Sequence, residues 1–274
     1  MRIRDGGIAR VVGLAWVLAF GGAGWALGDE SVACGAAAPL ASRAETLVFP
    51  ADTDPAIDQW LDPHVAMLNG GVERRDLLFV FMPGSFGKPE RTRLVIENAA
   101  DQGYYALGLR YPNSWTVNTL CGATGSLACF EQVRLEIIDG VDRTPLVSIS
   151  RANSIENRLA KALAWLASAQ PGEGWERFLD AGQPRWERIV VAGHSQGGGH
   201  APVIAKYREV ARVNMLSAPN DFIGAALANW LDDPHVTPAS RYFGFSHVRE
   251  DGHVNQPAEL GRARTRCLWR AGTG

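Results

Sequence analysis

The stretch that most constrains the fold lies in the last third of the chain, where residues 188–206 read R-I-V-V-A-G-H-S-Q-G-G-G-H-A-P-V-I-A-K. Ile189, Val190 and Val191 form a short β-branched run of the kind that suits a buried strand. Gly193-His194-Ser195-Gln196-Gly197 follows at once, and a helix-like segment comes next. Strand, sharp turn and helix around G-x-S-x-G place a serine on a tight bend, with its hydroxyl exposed above a sheet edge. Gly193 and Gly197 carry no Cβ, so strand and helix can approach closely on either side of Ser195. Pro202 falls inside the expected helix, where it removes a backbone donor at a cost of about 3 kcal/mol unless the helix bends.

The rest of the chain alternates between the two hydrophobic periods. Thr46-Leu47-Val48-Phe49 and residues 64–68 read as short strands, and residues 76–82 are an almost continuous apolar run, as a strand buried on both faces should be. Pro83-Gly84-Ser85-Phe86-Gly87 breaks that run. Residues 89–102 have helical spacing with Leu94, Val95, Ala99 and Ala100 on one side, stopped by Gly103. Residues 104–109 form the next strand. Residues 154–169 form an amphipathic helix, with Ile155, Leu159, Leu163 and Leu166 in register and Asn153 or Ser154 as its N-cap. Beyond the serine turn, residues 212–216 and 241–248 read as strands and residues 222–231 as a helix. Strands alternating with helices imply an α/β class, a mostly parallel doubly wound sheet flanked by helices, with functional groups gathered at the carboxyl ends of the strands.

Residues 114–150 are the least regular part, either an excursion bordering a cleft or a neutral surface insertion. Cys121 and Cys129 enclose G-A-T-G-S-L-A, a span short enough for a small closed loop and a disulfide. Cys34 and Cys267 lie near opposite ends, and no cysteine–histidine spacing suits a metal. At the start, Arg2, Arg4 and Arg10 precede an uncharged stretch over residues 11–28 that ends Ala26-Leu27-Gly28. Small residues at that point suit signal peptidase, so residues 1–28 are expected to be a signal peptide, an uncleaved membrane anchor being the alternative. Residues 29–274 then form one domain, secreted or periplasmic. A formal net charge of −2 gives no electrostatic reason to expect nucleic acid or an anionic membrane as partner.

The strand, the G-H-S-Q-G-G-G-H-A turn and the Gly-rich break after residues 76–82 together resemble the α/β-hydrolase superfamily, of the serine esterase and lipase kind, over residues 45–253. Within it, the turn resembles that of a group of bacterial exported hydrolases. The resemblance implies that Ser195 is a nucleophile after the fifth strand, with one oxyanion donor from the backbone N–H of Gln196. The second donor would come from the loop after the third strand, from Ser85 or Phe86. It also implies the chain order serine, acid, histidine. Asp251 stands at the fitting strand end for the acid, with Glu250 and Asp221 as alternatives; His247 and His253 remain for the histidine, and His253 is the candidate. His64 and His235 fall outside that order, His194 flanks the nucleophile, and His200 lies on the following helix as a packing or capping residue.

Such a chain would cleave a small carboxylic ester through an acyl-enzyme on Ser195, with no cofactor and no metal. Acyl transfer to a non-water acceptor and amide hydrolysis share the same machinery. Residues 261–274, G-R-A-R-T-R-C-L-W-R-A-G-T-G, show neither strand alternation nor a helical apolar face. They read as an irregular tail, or as the product of a truncated or frame-shifted gene, in which case the sheet lacks its C-terminal strand. A catalytically impaired or non-catalytic binding protein is therefore the competing class.

Overall fold

The structure, a computed structural model, describes residues 42–262 and 266–267. The expected signal peptide and Cys34 lie outside them. Eight strands form the central sheet: β1 (Arg43–Val48), β2 (His64–Asn69), β3 (Leu78–Met82), β4 (Tyr105–Gly108), β5 (Ile189–His194), β6 (Arg212–Leu216), β7 (Tyr242–Phe245) and β8 (Arg266–Cys267). Their order across the sheet is β1-β2-β4-β3-β5-β6-β7-β8. β2 runs antiparallel to both its neighbours, and the pairs from β4 through β8 are parallel. Within the stretch read as an irregular tail, with a missing last strand as one alternative, Arg266–Cys267 pairs in parallel with Phe243 and Gly244.

The central strands are apolar on both faces, as parallel strands covered by helices must be. Val80 of β3 and Val191 of β5 are paired in register and belong to one buried cluster, into which α4 (Ile155–Ala169) inserts Leu159, Leu163 and Leu166. Ser154 caps α4 by accepting the Asn157 N–H at 3.3 Å. On the opposite face, α1 (Arg93–Asp101) packs on β2 and β4 through Ile96, Ala99 and Ala100. Leu94, expected on that buried side, is 79% exposed, because helical spacing turns position 94 away from the stripe carried by 96, 99 and 100.

The irregular segment resolves into α2 (Val117–Thr124) and α3 (Cys129–Asp139), joined by the Cys121–Cys129 disulfide. Residues 222–231 are not a helix. Phe222–Ile223 and Ala226–Leu227 form a tight antiparallel ladder around Gly224, whose φ of +59° breaks helical geometry, and a single 3-10 turn, Asn229–Leu231, follows. The helix after the serine turn, α5 (Gln196–Tyr207), contains Pro202 within it. The last helix is α6 (Gln256–Arg262). Among the described residues, no helix is long and apolar enough to cross a membrane.

Candidate active site

The site begins with backbone strain. Ser195 sits between β5 and α5 at φ +50° and ψ −115°, a conformation that L-residues adopt at a cost of about 1–3 kcal/mol and that persists only where its surroundings enforce it. Here they do. The Ser195 N–H donates to the Leu216 carbonyl at 2.9 Å, and the Gly199 N–H donates to the Ser195 carbonyl at 3.0 Å. A Cβ on Gly197 would stand 2.1 Å from the Met82 carbonyl oxygen, and one on Gly193 would stand 2.3 Å from the Gly197 carbonyl carbon. The bend is therefore closed by backbone packed on backbone, which only glycine permits.

The loop between β3 and α1 approaches the serine from the side. A Cβ on Gly84 would lie 3.3 Å from the Ser195 Cβ and 3.1 Å from His194 Nδ1. Asn113, fully buried beyond the end of β4, clamps this loop: its Nδ2 donates to the Gly84 and Gly87 carbonyls at 2.8 and 2.9 Å. The Asn113 carbonyl accepts the Phe86 N–H at 2.7 Å, and the Tyr111 hydroxyl donates to the Pro83 carbonyl at 2.6 Å. Of the two candidate donors in the loop, the Phe86 amide is thus engaged away from Ser195, whereas the Ser85 amide has no acceptor among the described residues. The Gln196 amide, first in α5, likewise has none, as expected for the opening turn of a helix. The Ser85 hydroxyl donates to Gln196 Oε1 at 2.9 Å and latches loop to helix.

Ser85, Ser195, Gln196, Asn220, Phe222 and Gly252 line one cleft of about 530 Å³, bordered also by residues 116–118 at the start of α2. Beneath it lies a buried ion pair. Arg134 of α3 grips Asp221 with two N–H groups, Nε donating at 2.7 Å, and its Nη1 donates to the Gln196 carbonyl at 3.1 Å. Trp230 Nε1 adds a bond to the same carboxylate at 2.9 Å. Gly199 is required where the guanidinium passes, since a Cβ there would meet Arg134 Nη2 at 2.2 Å. Asp221, one of the alternative acids, is therefore held toward Arg134 and Trp230. The Asp221 N–H donates to Glu259 Oε1 at 2.6 Å, and the Glu259 carboxyl is pushed up to about 8, chiefly by burial and then by the nearby Asp221 charge.

The histidines divide clearly. His64 is buried, accepts the Arg110 N–H on Nδ1 at 2.9 Å, and is held down to about 3 by burial and then by the charges of Arg158 and Arg110. His200 is also buried, packs edge-on against Tyr111 at 5.4 Å, and is held well below the usual imidazole range chiefly by burial. His235 faces the Tyr242 hydroxyl at 2.8 Å, and His194 and His247 are exposed. His253 lies in the 3-10 turn Asp251–Val254 after β7, next to the cleft-lining Gly252, with its Nδ1 3.0 Å from the Ser246 hydroxyl. Among the described residues no histidine side chain lines the cleft itself. Glu250 accepts from the Ser217 hydroxyl at 2.7 Å and from the His247 N–H at 3.3 Å. The Asp251 side chain lies outside the described residues. Asn113 and Arg134 escaped sequence reasoning. The Pro112-Asn113 end of a strand was a weak signal for the first, and nothing local pointed to the second.

No family model matches the chain, and no curated protein matches it. Among solved structures, it is similar to a dienelactone hydrolase-like promiscuous phosphotriesterase from metagenomic libraries at 13% identity, covering 84% of this chain and 82% of that one with a TM-score of 0.45. A bacterial heroin esterase gives 12% identity over 82% of this chain and 73% of that one with a TM-score of 0.40. Esterase B from Lactobacillus rhamnosis, inhibited by a tributyrin phosphonate, gives 12% identity over 82% and 73% with a TM-score of 0.43. The strand order 1-2-4-3-5-6-7-8, the antiparallel second strand and the strained turn between the fifth strand and its helix are those of the α/β-hydrolase fold.

Proposed function

We propose that the protein is an exported serine hydrolase that cleaves carboxylic esters through an acyl-enzyme on Ser195. The observation that carries this reading is the strained Ser195 facing a cleft together with two backbone amides, of Ser85 and Gln196, that no described group accepts from. Two such donors, fixed in advance, stabilise the oxygen that becomes negative when a hydroxyl attacks a carbonyl. The serine needs a base to take its proton, and His253 fills that role, alone or with Asp251 orienting it. The base gives that proton to the alcohol as the ester C–O bond breaks; water then attacks the acyl-enzyme, the base takes the water proton and returns it to the Ser195 oxygen, and the acid leaves. The Cys121–Cys129 disulfide supports export, because such bonds persist in oxidising compartments.

That no histidine side chain among the described residues lines the cleft favours a second reading, a binding protein that keeps the serine turn without turnover. A panel of p-nitrophenyl esters separates the two. Hydrolysis that disappears in Ser195→Ala supports the enzyme. A folded wild type that hydrolyses no ester of the panel, or whose rate Ser195→Ala leaves unchanged, removes it.

A further inference from the structure

The segment after β7 carries a chain of hydrogen bonds that runs in one direction. Asn220 donates through Nδ2 to the Ser217 carbonyl at 2.9 Å, which makes its Oδ1 the acceptor for Gln256 Nε2, also at 2.9 Å. Gln256 is then left with Oε1 toward Ser246, and it accepts the Ser246 hydroxyl proton. A serine hydroxyl has one proton to give. Toward His253 Nδ1, 3.0 Å away, the Ser246 oxygen therefore acts as acceptor, so the imidazole proton sits on Nδ1 and the basic lone pair on Nε2.

The relay is built into the fold. Gln256 is buried at the start of α6, and Asn118 Nδ2 anchors the backbone of Asn220 by donating to its carbonyl at 2.9 Å. The turn before His253 passes so close that a Cβ on Gly252 would stand 2.2 Å from Asn220 Oδ1 and 2.9 Å from Gln256 Nε2. Asn220 and Gly252 both line the cleft that holds Ser195. Of the described carboxylates, Asp221 is bound by Arg134 and Trp230, and one oxygen of Glu250, Oε1, accepts from Ser217 and the His247 amide.

We infer that Ser246, oriented by Gln256 and Asn220, is the positioning residue of this site: it fixes His253 in the tautomer that a general base for Ser195 requires. In a serine–histidine–acid triad a carboxylate does this, and the wrong tautomer there costs about 10⁴ in kcat. A neutral hydroxyl orients the ring without itself supplying a charge to stabilise the imidazolium. The base role of His253 rests on the function proposed above; the tautomer rests on the hydrogen bonds alone.

The test joins nitrogen-15 NMR of the histidine ring to kinetics on p-nitrophenyl acetate, in wild type, Ser246→Ala, Ser246→Thr and Asp251→Asn. Expected is a neutral His253 with its proton on Nδ1 in the wild type. Ser246→Ala should lose that preference and lower kcat about tenfold or more with KM little changed, and Ser246→Thr, which keeps the hydroxyl, should stay within a few-fold of wild type. An Nε2–H ring in the wild type overturns the inference, and that result needs no variant to fold. So does a tautomer that follows Asp251→Asn and ignores Ser246→Ala. Failure of Ser195-dependent hydrolysis would remove the esterase reading instead, and the wild-type tautomer would still decide the relay.

Discussion

Ser195, its loop and its neighbours were legible to different depths. The serine itself could be read because G-x-S-x-G needs glycines where backbones touch, and at Gly193 and Gly197 they do touch. The choice between Ser85 and Phe86 could not be read, since it depends on where Asn113, more than twenty residues later, directs its carbonyl. A test follows directly. Asn113→Ala removes both Nδ2 bonds that hold the Gly84 and Gly87 carbonyls, which should let the Ser85 amide drift and lower kcat about tenfold or more, with KM changed far less. Steady-state kinetics on one ester check it, and unchanged kcat in a folded variant would show that the loop needs no clamp. Gly84→Ala should be worse for catalysis than for folding. Its methyl would crowd the Ser195 Cβ at 3.3 Å and His194 Nδ1 at 3.1 Å and so push against the serine itself, so kcat should fall while the melting temperature moves little.

At the scale of elements, period and punctuation carried the strands and α4, because alternating or helically spaced apolar residues report which face is buried. They failed at residues 222–231, where apolar content suggested a helix and a positive-φ glycine at 224 made a tight ladder instead. They were silent on Arg134, whose partner lies 87 residues away in sequence. That pair ties α3, α5 and the loop after β6 together beneath the cleft. Removing one member leaves a buried uncompensated charge, so Arg134→Leu should cost about 3–5 kcal/mol in urea unfolding, and Arg134→Leu with Asp221→Leu should recover much of it. Equal losses in the single and the double variant would mean that packing, not charge, holds these elements. The disulfide between α2 and α3 closes a loop with a sequence separation of 8. Loop-closure entropy for a ring of that size amounts to about 2–3 kcal/mol, so dithiothreitol should lower the melting temperature without abolishing folding.

For the whole molecule, the α/β class with its mostly parallel sheet followed from the resemblance of one turn and from the alternation of strands and helices, while the edge strand β8 was invisible because two residues carry no period. Buried titratable groups set its response to pH. Glu259 stands near 8 in the native state against an ordinary 4.5, so the folded protein keeps a proton that the unfolded chain releases between those values. Stability should therefore fall as pH rises through that window, and Glu259→Gln should raise the melting temperature more at pH 8 than at pH 5. His64 acts with the opposite sign. Its native value near 3 lies below the ordinary 6.5, so its contribution is present above pH 6.5 and is lost as pH falls toward 3. Thermal melts of wild type and Glu259→Gln across pH 5 to 8 resolve the Glu259 slope; parallel curves would contradict a buried protonated carboxyl.

The central claim is that the strained serine between β5 and α5 is a working nucleophile in a site that already holds its oxyanion donors. Incubation with a fluorophosphonate, digestion and mass spectrometry test it most directly. One phosphonyl adduct on the peptide carrying Ser195, lost in Ser195→Ala with the fold intact, is the predicted result; a folded wild type with no adduct, or an adduct on another residue that survives the substitution, would contradict it.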